Sequence, residues 1–156
     1  MWLLKLLLKN GADPNIKNNR QETPLLVTRD EEAVKLLVEH GAEVNVRDEE
    51  GNTPLLINAK HGETVKLLVD RGAAVNVQDG TGNTPLLINA RDGEVDIVEL
   101  LLENSADHSI RNNLDETPLL AASNVEKVKL LVEHGADVDA RNAEGNTPLL
   151  VNASNG

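Results

Sequence analysis

The sequence predicts an all-α solenoid, a stack of turn–helix–turn–helix repeats, and three observations predict it. The run Thr-Pro-Leu-Leu occurs five times, beginning at Thr23, Thr53, Thr84, Thr117 and Thr147, with separations of 30, 31, 33 and 30 residues. After each of the first four comes a Val/Leu-rich stretch that closes on Gly-Ala or a near variant, as in Val34-Lys35-Leu36-Leu37-Val38-Glu39-His40-Gly41-Ala42. The apolar content is aliphatic: hydrophobic residues make up 40% of the 156 positions, yet Trp2 is the single aromatic side chain. A period of this length marks an array in which no repeat buries its apolar face alone, so stacked neighbours supply the core. Short helices packed about 10 Å apart need compact Leu, Val, Ile and Ala at each layer rather than rings.

In chain order, residues 1–14 read as a half-repeat with one helix, because Leu3, Leu6 and Leu7 match Ile97, Leu100 and Leu101. Four repeats follow over about 15–45, 46–76, 77–109 and 110–139, and a second half-repeat spans 140–156. Pro24, Pro54, Pro85, Pro118 and Pro148 suit a first helical turn, where the missing N–H is not needed and φ is already set. The Thr before each Pro can cap its helix through the hydroxyl. That first helix is short and breaks near Gly62 or Gly93; in the second, Val65, Leu68 and Val69 recur at helical spacing. Gly41, Gly72 and Gly135 sit just past the second helix, where a left-handed residue closes it. Asp48-Glu49-Glu50-Gly51 and Asp79-Gly80-Thr81-Gly82 are turn signals that lead to the next Thr-Pro.

Gly51-Asn52-Thr53-Pro54-Leu55, the Leu-Leu of each second helix and Gly41-Ala42-Glu43-Val44-Asn45 together resemble the ankyrin repeat, over essentially the whole chain. The resemblance implies a curved stack whose hairpin tips and inner helices form a concave surface backed by outer helices. It also implies binding of other proteins. The chain departs from the family in three ways. Leu26, Leu56, Leu87, Leu120 and Leu150 stand where the family has His, exchanging a polar link for apolar burial of roughly 1.5–3 kcal/mol per Leu. Only the repeat beginning near Gly72 has the full 33 residues; the others lack two or three between their helices, which predicts a tighter inter-helix turn or a shortened second helix. Gln21 and Asp115 replace the tip Gly in two repeats. A left-handed residue there costs on the order of 1–2 kcal/mol without Gly, so a different turn is expected at those tips.

Residues 1–62 align with 95–156 without a gap, and 36 of the 62 pairs are identical. A block of three repeats has therefore been duplicated, with Gly156 falling on Gly62. Such a superperiod favours a natural origin, or derivation from a natural array, over an engineered consensus scaffold with no native partner. A half-repeat at each end without a polar cap fits an excised or frayed array; the alternative is a structural role, in which the halves complement each other head-to-tail between molecules. Trp2, whose matched position is Asp96, is expected to pack over the N-terminal end, with contact to a partner as the alternative.

Composition excludes several chemistries. A net charge of −11 and the absence of Phe and Tyr argue against phosphate-backbone binding and base stacking. With no Cys, neither a disulfide framework nor a thiolate zinc site can form. No apolar run approaches the roughly 20 residues of a bilayer crossing, and Lys5 interrupts the N-terminal Leu stretch. An intracellular, cytoplasmic protein with no membrane association is expected. His40 and His134 fall at helix ends, where a cation complements the helix dipole, and no two His residues have ligand spacing, so no metal or cofactor is expected and catalysis is not. Asn58, Asn89 and Asn152 recur at one inner-helix position, read as a hydrogen-bonded ladder in which each amide satisfies a neighbouring loop's backbone, with a polar stripe on the concave face for a partner as the alternative. The candidates for partner binding are Arg20, Glu49, Glu50, Thr81, Asn113, Leu114 and Glu144 at the tips, with Arg29, Lys60, Arg91 and Ser123 on the inner helices. Leu114 leads them, because an apolar tip residue has no structural reason to be there. The acidic balance suggests a basic or mixed-charge partner surface.

Overall fold

Each Thr-Pro starts a helix and each Val-Lys-Leu-Leu or its variant runs along a second one, giving ten helices among the described residues, with no strand among them. The computed structural model describes residues 1–155, Asn155 by its backbone alone; the correspondence of Gly156 with Gly62 lies outside them. Two units result, Met1–Ala74 and Val75–Gly156.

The first unit holds α1 (Trp2–Lys9), α2 (Pro24–Val27), α3 (Glu31–Glu39), α4 (Pro54–Ile57) and α5 (Gly62–Asp70). Here α2 packs on α4 in one layer, while α3 packs between α1 and α5 in the other. The second unit holds α6 (Pro85–Asp92), α7 (Val95–Glu103), α8 (Pro118–Ala121), α9 (Val125–Glu133) and α10 (Pro148–Asn155). Its layers are α6, α8 and α10 against α7 and α9. Between the layers lie aliphatic side chains: Leu25, Val34, Leu55 and Val65 in the first unit, Leu86, Val98, Leu119 and Leu131 in the second, all buried. Leu26, Leu56, Leu87 and Leu120 are buried as expected, whereas Leu150 is exposed.

The hydroxyls of Thr53, Thr84, Thr117 and Thr147 each accept from the backbone N–H three residues on, at 3.1–3.4 Å. Thr23 departs from this: its hydroxyl is buried with no hydrogen-bond partner. At the end of α3, Ala42 N donates to Leu37 O (2.9 Å) and Gly41 N to Val38 O (3.1 Å), with Gly41 at φ 89°. This is the closure that a left-handed residue after a helix permits. It recurs with Gly72 and Gly135, and with Ser105 at φ 64° in the one repeat that lacks the Gly.

Two expectations are corrected. The second helices are not shortened: α3, α5, α7 and α9 all have nine residues. The missing residues come from the first helices, since α2, α4 and α8 have four residues and α6 has eight. The second helix carries the long apolar stripe, and losing a turn of it would uncover core; the first helix can end early at little cost. Nor do the tips without Gly adopt another turn. Gln21 and Asp115 take φ of 59° and 60°, the conformation of Gly51, Gly82 and Gly145. Gln21 N donates to Asn18 O and Asp115 N to Asn112 O, as Gly51 N does to Asp48 O. The turn is held by a side chain at its first position. Asn18, Asp79, Asn112 and Asn142 each accept two backbone N–H bonds through Oδ1, and these outweigh the strain of one left-handed residue.

Trp2 does not cover the first unit. It is 76% exposed, because its position on α1 faces outward as the matching Asp96 does on α7.

Candidate functional site

The candidate tip residues stand on turns that the chain builds in the same way each time. In the second unit the turns are also tied to one another. Asn113 N donates to Thr81 O (3.0 Å) and Ala143 N to Leu114 O (3.2 Å). Asn112 Nδ2 donates to Asn83 Oδ1 (3.0 Å), and Gln78 Nε2 to Arg111 O (3.0 Å). Gly82 makes this approach feasible. It sits at φ +79°, and a Cβ there would lie 3.0 Å from Asn112 Cα and from Asn113 N.

Against these turns lies a shallow pocket of about 410 Å³, lined by Thr81, Asn83, Arg91, Asn112, Asn113 and Leu114. Four of the sequence candidates therefore meet at one place. Arg91 projects from α6 and pairs with Glu116, whose carboxylate also accepts from Asn112 Nδ2 (2.8 Å). Thr81 is engaged with its own turn: its hydroxyl donates to Asp79 Oδ1 (2.7 Å) and accepts from Asn83 Nδ2 (2.6 Å). Burial opposes ionisation of Asp79, but the bonds from the Thr81 hydroxyl, the Asn83 and Thr81 amides and the Asn83 side chain together hold its carboxyl below the usual range. Leu114 is different. Its backbone is bonded on both sides, N to Asn112 Oδ1 and O from Ala143 N, while its side chain is 63% exposed.

The remaining candidates are exposed, but no contact among them gathers them into that pocket. Arg20 pairs with Glu22 at 2.9 Å, and Glu144 Oε2 accepts from Asn146 Nδ2. Glu49 and Glu50 project from the Asp48 turn. The placement of Arg29, Lys60 and Ser123 on inner helices is corrected: α2, α4 and α8 stop at Val27, Ile57 and Ala121, so these three lie in the segments that follow. Arg91 remains helical, because α6 has the extra turn. Ser123 is tied in as well, its N donating to Ala90 O (3.2 Å) and its hydroxyl accepting from Lys127 Nζ (3.0 Å).

The Asn that recurs just past α4 and within α6 and α10 is structural. Asn58 and Asn89 are buried, and Nδ2 of Asn58, Asn89 and Asn152 donates to the carbonyl of the Pro four residues back, at 2.8–3.0 Å. Asn58 Nδ2 also reaches Thr28 O of the preceding repeat at 3.4 Å. His40 and His134 close α3 and α9, each with Nδ1 2.8 Å from the carbonyl four residues back. Asp107 is held below the usual carboxylate range by the Ser109 hydroxyl and amide, against slight burial and with help from His108. No group of three or more His, Asp or Glu among the described residues is arranged to hold a metal ion.

Two features escaped the sequence reading. Asn15, Asn45 and Asn76 are two-point clamps between neighbouring repeats: Asn15 Nδ2 donates to Gly41 O and its Oδ1 accepts from Glu43 N, and Asn45 does the same with Gly72 O and Ala74 N. Asn76 serves Ser105 O and Asp107 N. Their spacing of 30 and 31 residues was the available signal. Lys127 is the other. It is buried at a position where the other repeats place Ala33, Thr64 and Ile97, with Ser123 as its hydrogen-bond partner. Burial lowers its pKa, against the opposing field of Asp92.

A family model described as Ankyrin repeats (3 copies) matches the chain over residues 2–79, 27–112, 57–142 and 90–156. No curated protein matches it. No helix among the described residues is long and apolar enough to cross a membrane.

Proposed function

Because the chain belongs to the ankyrin-repeat family, whose repeats generally mediate protein–protein interaction and are typically non-enzymatic, we propose that it is a non-catalytic scaffold that binds a protein partner through its tips and the adjoining first-helix face. The observation that carries this reading is Leu114. An exposed apolar side chain on a turn with a fixed backbone gives up little conformational entropy on binding, which is the economy of a preorganised anchor. Arg91, Thr81 and Asn113 frame it with polar groups, the arrangement of an apolar anchor inside a polar rim. The first unit, by itself, offers charged tips at Arg20, Glu49 and Glu50, which steer a partner through complementary charge. The net charge of −11 favours a basic or mixed-charge surface on that partner. The repeat limits proposed from the sequence place each candidate tip near the start of its repeat. The absence of Cys supports an intracellular, cytoplasmic setting, as reducing compartments do not select for disulfides.

Affinity capture with quantitative mass spectrometry tests the reading. Leu114→Ala and the double variant Glu49→Lys/Glu50→Lys are each compared with a control on α7, Glu99→Lys/Glu103→Lys. The partner is expected to be retained by the control and depleted by the tip variants, at least tenfold for Leu114→Ala if it is a hot spot of about 1.4 kcal/mol or more. Equal recovery by all three variants would remove the tip surface from the function.

A further inference from the structure

Lys127 occupies a core position of the second unit, and its amino group ends on a serine that solvent can reach. The stem runs where the other repeats bury Ala33, Thr64 and Ile97, and only 2% of the residue is exposed. Its Nζ donates to Ser123 Oγ at 3.0 Å, across one helical turn. The hydroxyl is held on its other side as well, 3.5 Å from Ala90 O, while Ser123 N donates to the same carbonyl (3.2 Å). Asn124 fixes the start of α9, its Oδ1 accepting from Lys127 N (2.9 Å). Ser123 is exposed. Arg29 and Lys60 are exposed too; they stand four residues before Ala33 and Thr64, in repeats followed by another repeat. The access therefore belongs to this position in the repeat.

We propose that Ser123 and Lys127 form a reactive pair, in which Ser123 Oγ takes an acyl group from a small activated ester and Lys127 Nζ is the base that draws off its proton. The geometry meets two requirements of an activated hydroxyl: a nucleophile open to the ester and a base within hydrogen-bond reach. A lysine can be that base only as the free amine, and burial favours this form. Asp92, at the end of α6, opposes the shift. Of the helices packed on α9, α8 has no titratable residue, and on α7 Asp96, Glu99 and Glu103 are exposed, as are Glu126, Lys129 and Glu133 of α9 itself. An arginine at this position could not deprotonate, and a surface lysine would keep its proton at neutral pH. As Oγ bonds to the carbonyl carbon, Nζ takes the hydroxyl proton. The carbon–oxygen bond to the aryl group then breaks, the phenolate leaves, and Nζ returns the proton to solvent; the product is one acyl serine per chain. The first-turn amides of Val125 and Glu126 donate to no acceptor among the described residues. They leave the positive end of α9 beginning two residues from Ser123, close in sequence to where negative charge develops. This reactivity is independent of the tip surface at Leu114.

The chain is incubated with p-nitrophenyl acetate from about pH 6 to about pH 10, a range that brackets the free-amine transition of a lowered lysine, then quenched in acid and mapped by peptide mass spectrometry. Ser123 is expected to gain an acetyl group at least about tenfold faster than Ser105 and Ser109, which are exposed and bonded to no lysine among the described residues. Its rate should rise with pH and level off below about 10.4, the value of an ordinary lysine, while the other two go on rising. Ser123→Ala should remove the fast site. Lys127→Met and Lys127→Arg should each slow Ser123 at least about tenfold, with far-ultraviolet circular dichroism matching the parent; Lys127→Arg keeps the cation and loses only the base. If either variant misfolds, the modified site and the pH profile of the parent decide alone. A Ser123 rate no faster than those of Ser105 and Ser109 overturns the proposal. So does acetylation of Lys127 Nζ in place of Ser123, or an unchanged Ser123 rate in folded Lys127→Arg.

Discussion

The two units are built from one repeat yet are held together at different places. In the first unit, the clamps of Asn15 and Asn45 bind neighbouring repeats near the ends of their second helices. The Asn18 and Asp48 turns each close on themselves, and among the described residues of that unit no hydrogen bond joins one turn to the other. In the second unit the Asn76 clamp is followed by Ser109, which turns inward to Asp107 rather than reaching the next repeat. There the turns carry the linkage instead, through Asn113 to Thr81 and Ala143 to Leu114. Stacked repeats need directional bonds at each interface to fix register, because aliphatic burial is non-directional. Which edge supplies them is free to vary. The consequence is functional: the second unit offers fixed tips around Leu114, and the first offers tips free of such cross-links at Arg20, Glu49 and Glu50.

The largest expected effect breaks the tip linkage directly. Gly82→Ala meets backbone atoms of the neighbouring turn as well as a left-handed φ, and should cost about 2–3 kcal/mol. Gly51→Ala, with a similar φ and no atom nearer than Arg47 at 3.9 Å, should cost about 1 kcal/mol; urea denaturation of the pair reads the difference. Removing a clamp comes next. Asn45→Ala should lose about 1–2 kcal/mol and speed hydrogen exchange at the Ala74 amide, and Ser109→Asn should recover part of that sum by building the missing clamp in the second unit.

A third test concerns the misfit core position of the second unit. Lys127→Met should raise stability by about 1 kcal/mol at neutral pH, since a buried charge is exchanged for an apolar side chain of similar length. The sign of its pH dependence follows from the lowered pKa. Between the folded pKa and the unfolded value of about 10.4, the unfolded chain binds more protons, so stability of the parent rises with pH across that window. Thermal melts at neutral and alkaline pH should show the rise in the parent and its absence in the variant. The smallest effect sharpens the contrast between strained and relaxed tips: Gln21→Gly and Asp115→Gly should each gain about 0.5 kcal/mol, the relief of a left-handed side chain offset by glycine's greater unfolded entropy, in the same urea assay.

Much of this was legible residue by residue. Thr-Pro marked all five first-helix starts and Gly-Ala the second-helix ends at Gly41, Gly72 and Gly135, with Ser105-Ala106 as the variant after α7, because capping, fixed φ and left-handed closure are local requirements. The buried role of Asn58 and Asn89 was readable from recurrence. Four residues of the Leu114 pocket are legible in the sequence, Thr81, Asn113 and Leu114 as variable tips and Arg91 as a variable position of a first helix. Other features turned on neighbours thirty or so residues away. Asn45 as a clamp depends on where Gly72 and Ala74 arrive, and the exposure of Trp2 depends on which way α1 is rotated. Gln21 and Asp115 kept a turn that their own φ preference disfavours, since Asn18 and Asn112 hold it from the other side.

By itself, then, the sequence determined the repeat, the helix starts and stops, the aliphatic core and the family, all set by short-range sterics and by periodic burial. The tertiary structure alone decided which turns are tied together, that the first helices rather than the second give up residues, and that Lys127 is buried. These depend on distances between repeats. Each is fixed by how one layer settles on the next, a sum of small packing and hydrogen-bond terms that no single repeat contains.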